Sequence, residues 1–202
     1  ENNIEPFSIY GSEIIFDVYR EGQKIGFHHV KFSKIDNNLR VISESKLQIN
    51  LLFFTAFEFN YRSKAVWKNG ILKDLECNVN DDGKLLSFTV FNEKNLMKVK
   101  NSDISVAVPL FPTNHWNANV LNQKKVFNTL TGNINEFSIL SKGLEEVLTE
   151  NGRSEATRYQ YYGDIEAEVW YDNEKRWVKM QFEGRDGSTI TYRCVKCQGG
   201  TN

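Results

Sequence analysis

One stretch of the chain gathers side chains that could do chemistry. Residues 109–132 read Pro-Leu-Phe-Pro-Thr-Asn-His-Trp-Asn-Ala-Asn-Val-Leu-Asn-Gln-Lys-Lys-Val-Phe-Asn-Thr-Leu-Thr-Gly, and they hold two of the three prolines and one of the three histidines. An imidazole can move a proton near neutral pH, and His115 stands beside Trp116 with Asn114 and Asn117 around it. Such a cluster could line a pocket for a sugar or another partly polar ligand, with His115 as the one candidate acid/base. The alternative is structural: Trp116 plugs an end of a sheet while Asn and Thr satisfy irregular backbone.

Partners for that histidine are scarce. No GxSxG elbow supplies a strained nucleophile, and no HExxH spacing supplies a zinc site. His28 and His29 are neighbours on a predicted strand, so they point to opposite sides and cannot ligate together. Asp164, Glu166 and Glu168 share a strand face at roughly 7 Å spacing. Ala167, Val169 and Tyr171 form the apolar opposite face, so these carboxylates read as an ordinary solvent face. They matter only if Arg158 and Tyr161 enclose them in a cleft.

Cys77, Cys194 and Cys197 are the only cysteines. One CxxC pair alone is a weak metal signal, because structural zinc takes four ligands. On a straight strand Cys194 and Cys197 would stand about 10 Å apart on opposite faces, beyond disulfide reach. Either the chain turns there and they pair, or one of them bridges to Cys77, or the thiols stay free; redox or metal chemistry is the lesser reading. No metal and no cofactor is expected.

The elements that would position these residues are strands. Ile14, Phe16 and Val18 alternate on one face; so do His28, Val30 and Phe32, then Leu39, Val41, Ser43, Ser45, Leu47 and Ile49. A further run, 53–67, carries Phe53, Phe57, Phe59, Tyr61 and Trp67 against Glu58, Asn60, Arg62 and Lys64. Glu21-Gly22, Asn69-Gly70, Asp82-Gly83, Asn151-Gly152 and Asp186-Gly187 punctuate the pattern as tight turns, which favour residues tolerant of positive φ. After Asn151-Gly152 the runs 153–162, 165–171, 176–184 and 188–195 read as a meander. Helix signal is confined to one short element near 114–122, capped by Thr113 or Asn114, and 143–149 reads as either turn or strand.

The expected fold is therefore all-β and mainly antiparallel: a large curved sheet or barrel-like meander forming one domain over 1–202. Residues 1–12 are expected as an extended lead-in and 198–202 as a flexible tail. At 202 residues the chain can bury a substantial core. Its 13% aromatic content suits strands and a wide apolar interior. The net charge is -1 and no long Lys/Arg run occurs, which argues against a nucleic-acid partner. The longest apolar run, Leu51-Leu52-Phe53-Phe54, is far short of the ~20 residues of a membrane-spanning helix.

Several short pieces occur in one order: Tyr-Arg-Glu-Gly-Gln-Lys-Ile-Gly (19–26), Val-Trp-Lys-Asn-Gly-Ile-Leu (66–72), the 112–132 segment, Arg-Tyr-Gln-Tyr-Tyr-Gly (158–163), Val-Trp-Tyr-Asp (169–172) and Asp-Gly-Ser-Thr-Ile-Thr-Tyr (186–192). This order resembles an exported bacterial family of unknown function, number 6134, with a looser likeness to family 3108. The resemblance implies a periplasmic, mostly antiparallel β protein made with a cleavable leader; the sequence begins at Glu1, without Met. It implies no reaction. The family's motif positions fall on Trp67, His115, Trp116, Asn128, Thr131, Gly132, Arg158, Tyr159, Gly163, Trp170, Tyr171 and Asp172. Of these, Trp67, His115, Trp116, Asn128, Arg158, Tyr159, Trp170, Tyr171 and Asp172 are taken as candidate ligand-binding residues. In an oxidising periplasm a disulfide is favoured among the cysteines.

Three functions are expected in descending order. The first is a non-enzymatic envelope protein whose aromatic-rich concave side binds a lipid or other amphipathic molecule. The second is a structural or interaction module that pairs with an envelope protein or with itself as a homodimer. The third is an enzyme on envelope glycans, using His115 with Asp172 or Glu168.

Overall fold

The computed structural model describes residues 4–51 and 54–199. Among the described residues fifteen strands follow one another: β1 (Glu13–Arg20), β2 (Gln23–Ile35), β3 (Asn38–Leu51), β4 (Phe54–Lys68), β5 (Ile71–Asp81), β6 (Lys84–Glu93), β7 (Leu96–Val99) and β8 (Ser105–Ala107) form the first half. The second half holds β9 (Phe111–Pro112), β10 (Lys125–Phe127), β11 (Ile134–Thr149), β12 (Gly152–Gly163), β13 (Ala167–Asp172), β14 (Trp177–Glu183) and β15 (Thr189–Lys196). They make one sheet, ordered β8-β7-β6-β5-β4-β3-β2-β1-β15-β14-β13-β12-β11-β10-β9. All neighbours are antiparallel except β9 and β10. The first and last strands, β1 and β15, thus pair at the centre and join the two halves.

Chain connectivity forces this sheet to curl. Its two outermost strands, β8 and β9, are separated only by residues 108–110. Four extended steps reach about 14 Å, whereas fifteen flat strands would spread over roughly 65 Å. The sheet must therefore bend round until its ends approach one another, enclosing an inner face. Alternation selects that face: Ile14, Phe16 and Val18 are fully buried, as are Val30, Leu75, Cys77 and Val90.

The turns show which local rules hold. Asn69-Gly70 and Asp82-Gly83 have positive φ at both residues, as a type I′ hairpin requires. Asn151-Gly152 and Asp186-Gly187 do not; only their glycines are positive. Two further hairpins, at Asp36-Asn37 and Lys94-Asn95, adopt positive φ at both positions with no glycine. Asx and polar side chains tolerate the left-handed region well enough to escape a glycine-based reading.

Three boundary expectations are corrected. The helix near 114–122 is a 3-10 helix spanning Ala118–Asn122, capped by Asn117, whose side chain accepts from the Asn119 N–H at 3.1 Å. Residues 114–116 are withheld from it because their side chains are anchored in the interior. The lead-in is not wholly extended: Pro6–Ile9 makes one α-helical turn, and Tyr10 is fully buried. The tail is not free at its start, since Gln198 is 7% exposed and hydrogen-bonded. Residues 143–149 are strand, the far part of β11. Residues 1–3 of the lead-in, Leu52 and Phe53, and residues 200–202 of the tail lie outside the described residues. Among the described residues no helix is long and apolar enough to cross a membrane.

Candidate functional site

Residues 109–132 run from the outer edge of the sheet into its interior. Pro109 and Pro112 keep the segment out of any central strand, as the missing N–H demands, and β9 is an edge strand. Trp116 is 1% exposed, edge-on to Phe32 at 5.4 Å and to Trp67 at 5.5 Å. Its carbonyl accepts from Tyr10 Oη at 2.9 Å, and Tyr10 Oη accepts in turn from the Trp177 N–H. Tyr171 Oη donates to the His115 carbonyl at 2.7 Å. Asn114 takes a hydrogen bond from Tyr61 Oη and gives one to Ser63 Oγ. Trp116 therefore fills the fold.

His115 lies between Tyr161 and Trp177, each ring about 5.6 Å away. Burial pushes its pKa down to about 4. Its Nδ1 has no hydrogen-bond partner, and among the described residues no carboxylate bonds to its ring. The proposed acid–base pairs are not formed. Asp172 is occupied by Arg176 at 2.7 Å and by the Gln198 side chain at 2.8 Å, and Glu168 faces Arg158. This removes the geometric basis for a glycan-acting enzyme built on His115.

The other candidate residues do not converge on one pocket. Trp67 and Tyr159 pack in the interior with Phe111 and Tyr171. Arg158 and Trp170 lie on the opposite face of their strands, where both bond Glu145 and Lys179 Nζ sits 4.2 Å from the Trp170 ring. Asn128 shapes a turn: its amide reaches Asn135 and its carbonyl accepts from the Gly132 N–H. A Cβ at Gly132 would stand 2.3 Å from the Phe88 ring, and its φ is +77°. Arg158 does meet Glu168, but Tyr161 is buried on the other side, so no cleft encloses the carboxylates.

A further surface, with no signal of its own in the sequence, lies where β3 and β4 outrun their neighbours. β2 pairs with β3 only as far as Leu47, and β5 pairs with β4 only from Phe59. Beyond those points β3 and β4 continue together as a two-stranded ribbon, with Gln48 opposite Glu58 and Ile49 opposite Phe57; Asp82 still bonds the Glu58 backbone at its base. A bulge between Ile49 and Asn50 keeps Gln48, Asn50 and Thr55 on one side, where their side chains hydrogen-bond in series. The opposite side continues the inner face of the sheet. It carries Leu47, Ile49, Phe57 and Phe59, all part-exposed, and Phe54, which is 61% exposed. None of these five packs against the central core. Two long strands with alternating apolar residues were legible; the end of their neighbours was not.

At the ribbon's base the outward face forms a shallow groove of about 460 Å³. One wall is the cross-strand row Glu44, Arg62, Asn78 and Ser87, and the other is Lys46, Asn60, Asn80 and Leu85. Its side chains can hydrogen-bond a polar group.

The fold and these surfaces define a class: a β-barrel-like protein with a plugged interior and an amphipathic projecting ribbon. The chain belongs to the domain-of-unknown-function family DUF6134, whose model matches residues 16–195. No curated protein matches it. It is similar in fold to the crystal structure of a β-barrel-like protein of the unknown-function family DUF1849 from Brucella abortus. That match has a TM-score of 0.64 and 11% identity, and covers 94% of this chain and 97% of the other.

Proposed function

We propose that this chain is an exported cell-envelope protein that binds an amphipathic, lipid-like molecule without transforming it. The observation carrying the reading is the apolar ladder of Leu47, Ile49, Phe54, Phe57 and Phe59, which faces the enclosed side of the sheet yet lies outside the core. An acyl chain laid along this ladder would remove those side chains from water, at roughly 25 cal/mol for each Å² buried. The ribbon's opposite side, with Gln48, Asn50 and Thr55, would stay in contact with solvent or a polar headgroup. The Cys194–Cys197 disulfide supports an oxidising compartment.

Native mass spectrometry of protein purified from cells, with organic extraction of the same sample, tests the reading. A co-purifying acyl-bearing species is expected; a single apo mass and an extract free of acyl species would count against it. A second reading, an interaction module or homodimer, draws on Leu140, Leu144 and Leu148 of β11, which are 50%, 68% and 72% exposed. Size-exclusion chromatography with light scattering separates the two, because a strict monomer removes the homodimer.

A further inference from the structure

The far end of the β11–β12 hairpin reaches the C-terminal end of β15. There Glu150 places Oε1 2.9 Å from the Cys197 backbone N and 2.6 Å from that of Gln198, accepting both N–H groups. The same carboxylate aims Oε2 at the two sulfurs, 2.9 Å from Cys194 Sγ and 3.5 Å from Cys197 Sγ. Neither sulfur of a disulfide carries a proton. Oε2 therefore faces two lone-pair-bearing atoms with no hydrogen to accept, although its other oxygen is fully engaged.

We propose that Cys194, Cys197 and Glu150 form a redox-gated site for a divalent, thiophilic cation of the zinc class. The three ligand atoms already lie within 4.8 Å of one another, so opening the disulfide asks for little movement before a cation can sit among them. Two thiolates and one carboxylate are a zinc-type ligand set, with a fourth position left for water. The Cys197 and Gln198 N–H groups orient the carboxylate, as outer hydrogen bonds do at metal sites. Cys194 is part-exposed and Cys197 fully buried, which gives the cation one open side.

Loading requires reduction. An external dithiol or phosphine supplies two electrons and is itself oxidised; the S–S bond breaks and each sulfur takes up a proton. Metal entry then displaces both thiol protons. The proposal is independent of ligand binding at the ribbon, which lies on other strands.

Cobalt(II) is the probe. Full-length protein reduced with a phosphine and titrated with Co²⁺ is expected to develop a sulfur-to-cobalt charge-transfer absorption at one ion per chain, abolished by excess Zn²⁺. The oxidised protein and Cys197→Ser should not develop it, and Cys77→Ser should retain it. Glu150→Ala should bind at least about tenfold more weakly, since even outer contacts are worth that much. Absence of the band in reduced protein overturns the proposal. So does a band of equal affinity in the oxidised protein, or in Glu150→Ala.

Discussion

Trp116 and the two buried histidines show how single residues settle the role of the central segment. Trp116 contacts Phe32 and Trp67 and is 1% exposed, so Trp116→Ala removes the interior filling of the fold. A loss of about 3–5 kcal/mol is expected from chemical denaturation. His28 bonds Ser45 through Nδ1 at 2.6 Å. Burial, with smaller contributions from His115 and His29, pushes its pKa down to about 3; burial alone takes His115 to about 4. Both values lie below the ordinary 6.5, so the unfolded chain binds protons that the folded chain refuses. Their contribution is present above pH ~6.5 and is lost as pH falls towards the folded values. Between about pH 6.5 and 5, stability should fall by roughly 1.4 kcal/mol per pH unit for each histidine once the unfolded form is mostly protonated. His28→Gln should flatten that slope in denaturation curves taken across the range; an unchanged slope would contradict the assignment.

Among the elements, most strands were legible in the residues, because buried positions recur with period two and turn residues separate them. The course of 109–132 was only half legible: its prolines excluded a central strand, yet nothing local showed that Asn114 would bond Tyr61 and Ser63 across the interior. The cysteines were undetermined for the same reason. Cys194 lies on β15, but Cys197 lies one residue past it, and the chain's departure from the strand brings their Cα atoms to 5.8 Å. Cys77 is buried and free, and burial holds its thiol up at about 12. Glu150, 47 residues from Cys197 in sequence, could not be associated with it by spacing. Because the disulfide closes a very short loop, Cys194→Ser is expected to cost only roughly 2 kcal/mol from chain entropy. A larger loss in denaturation would mean that the Gln198 hydrogen bonds to Asp172 and Thr149 collapse with it.

At the scale of the molecule, an enclosed sheet face does not by itself make a binding chamber. Here the central interior is filled by the chain's own aromatic side chains, from Tyr10 and Trp116 to Tyr171 and Trp177. What remains for an apolar partner is the ribbon where β3 and β4 outrun their neighbours. Polar substitution there should leave the core packing intact, because Phe57 and Phe59 are not packed against it, and should cost only the partial burial of those two rings. Titration of a fluorescent acyl probe into the native protein and into the Phe57→Ser, Phe59→Ser double variant tests the central claim most directly. Saturable binding by the native protein, weakened at least about tenfold in a variant that still unfolds cooperatively, is the predicted result; each buried aromatic is worth roughly 1.5–3 kcal/mol. Equal affinity in both proteins, or no saturable binding by either, would contradict it.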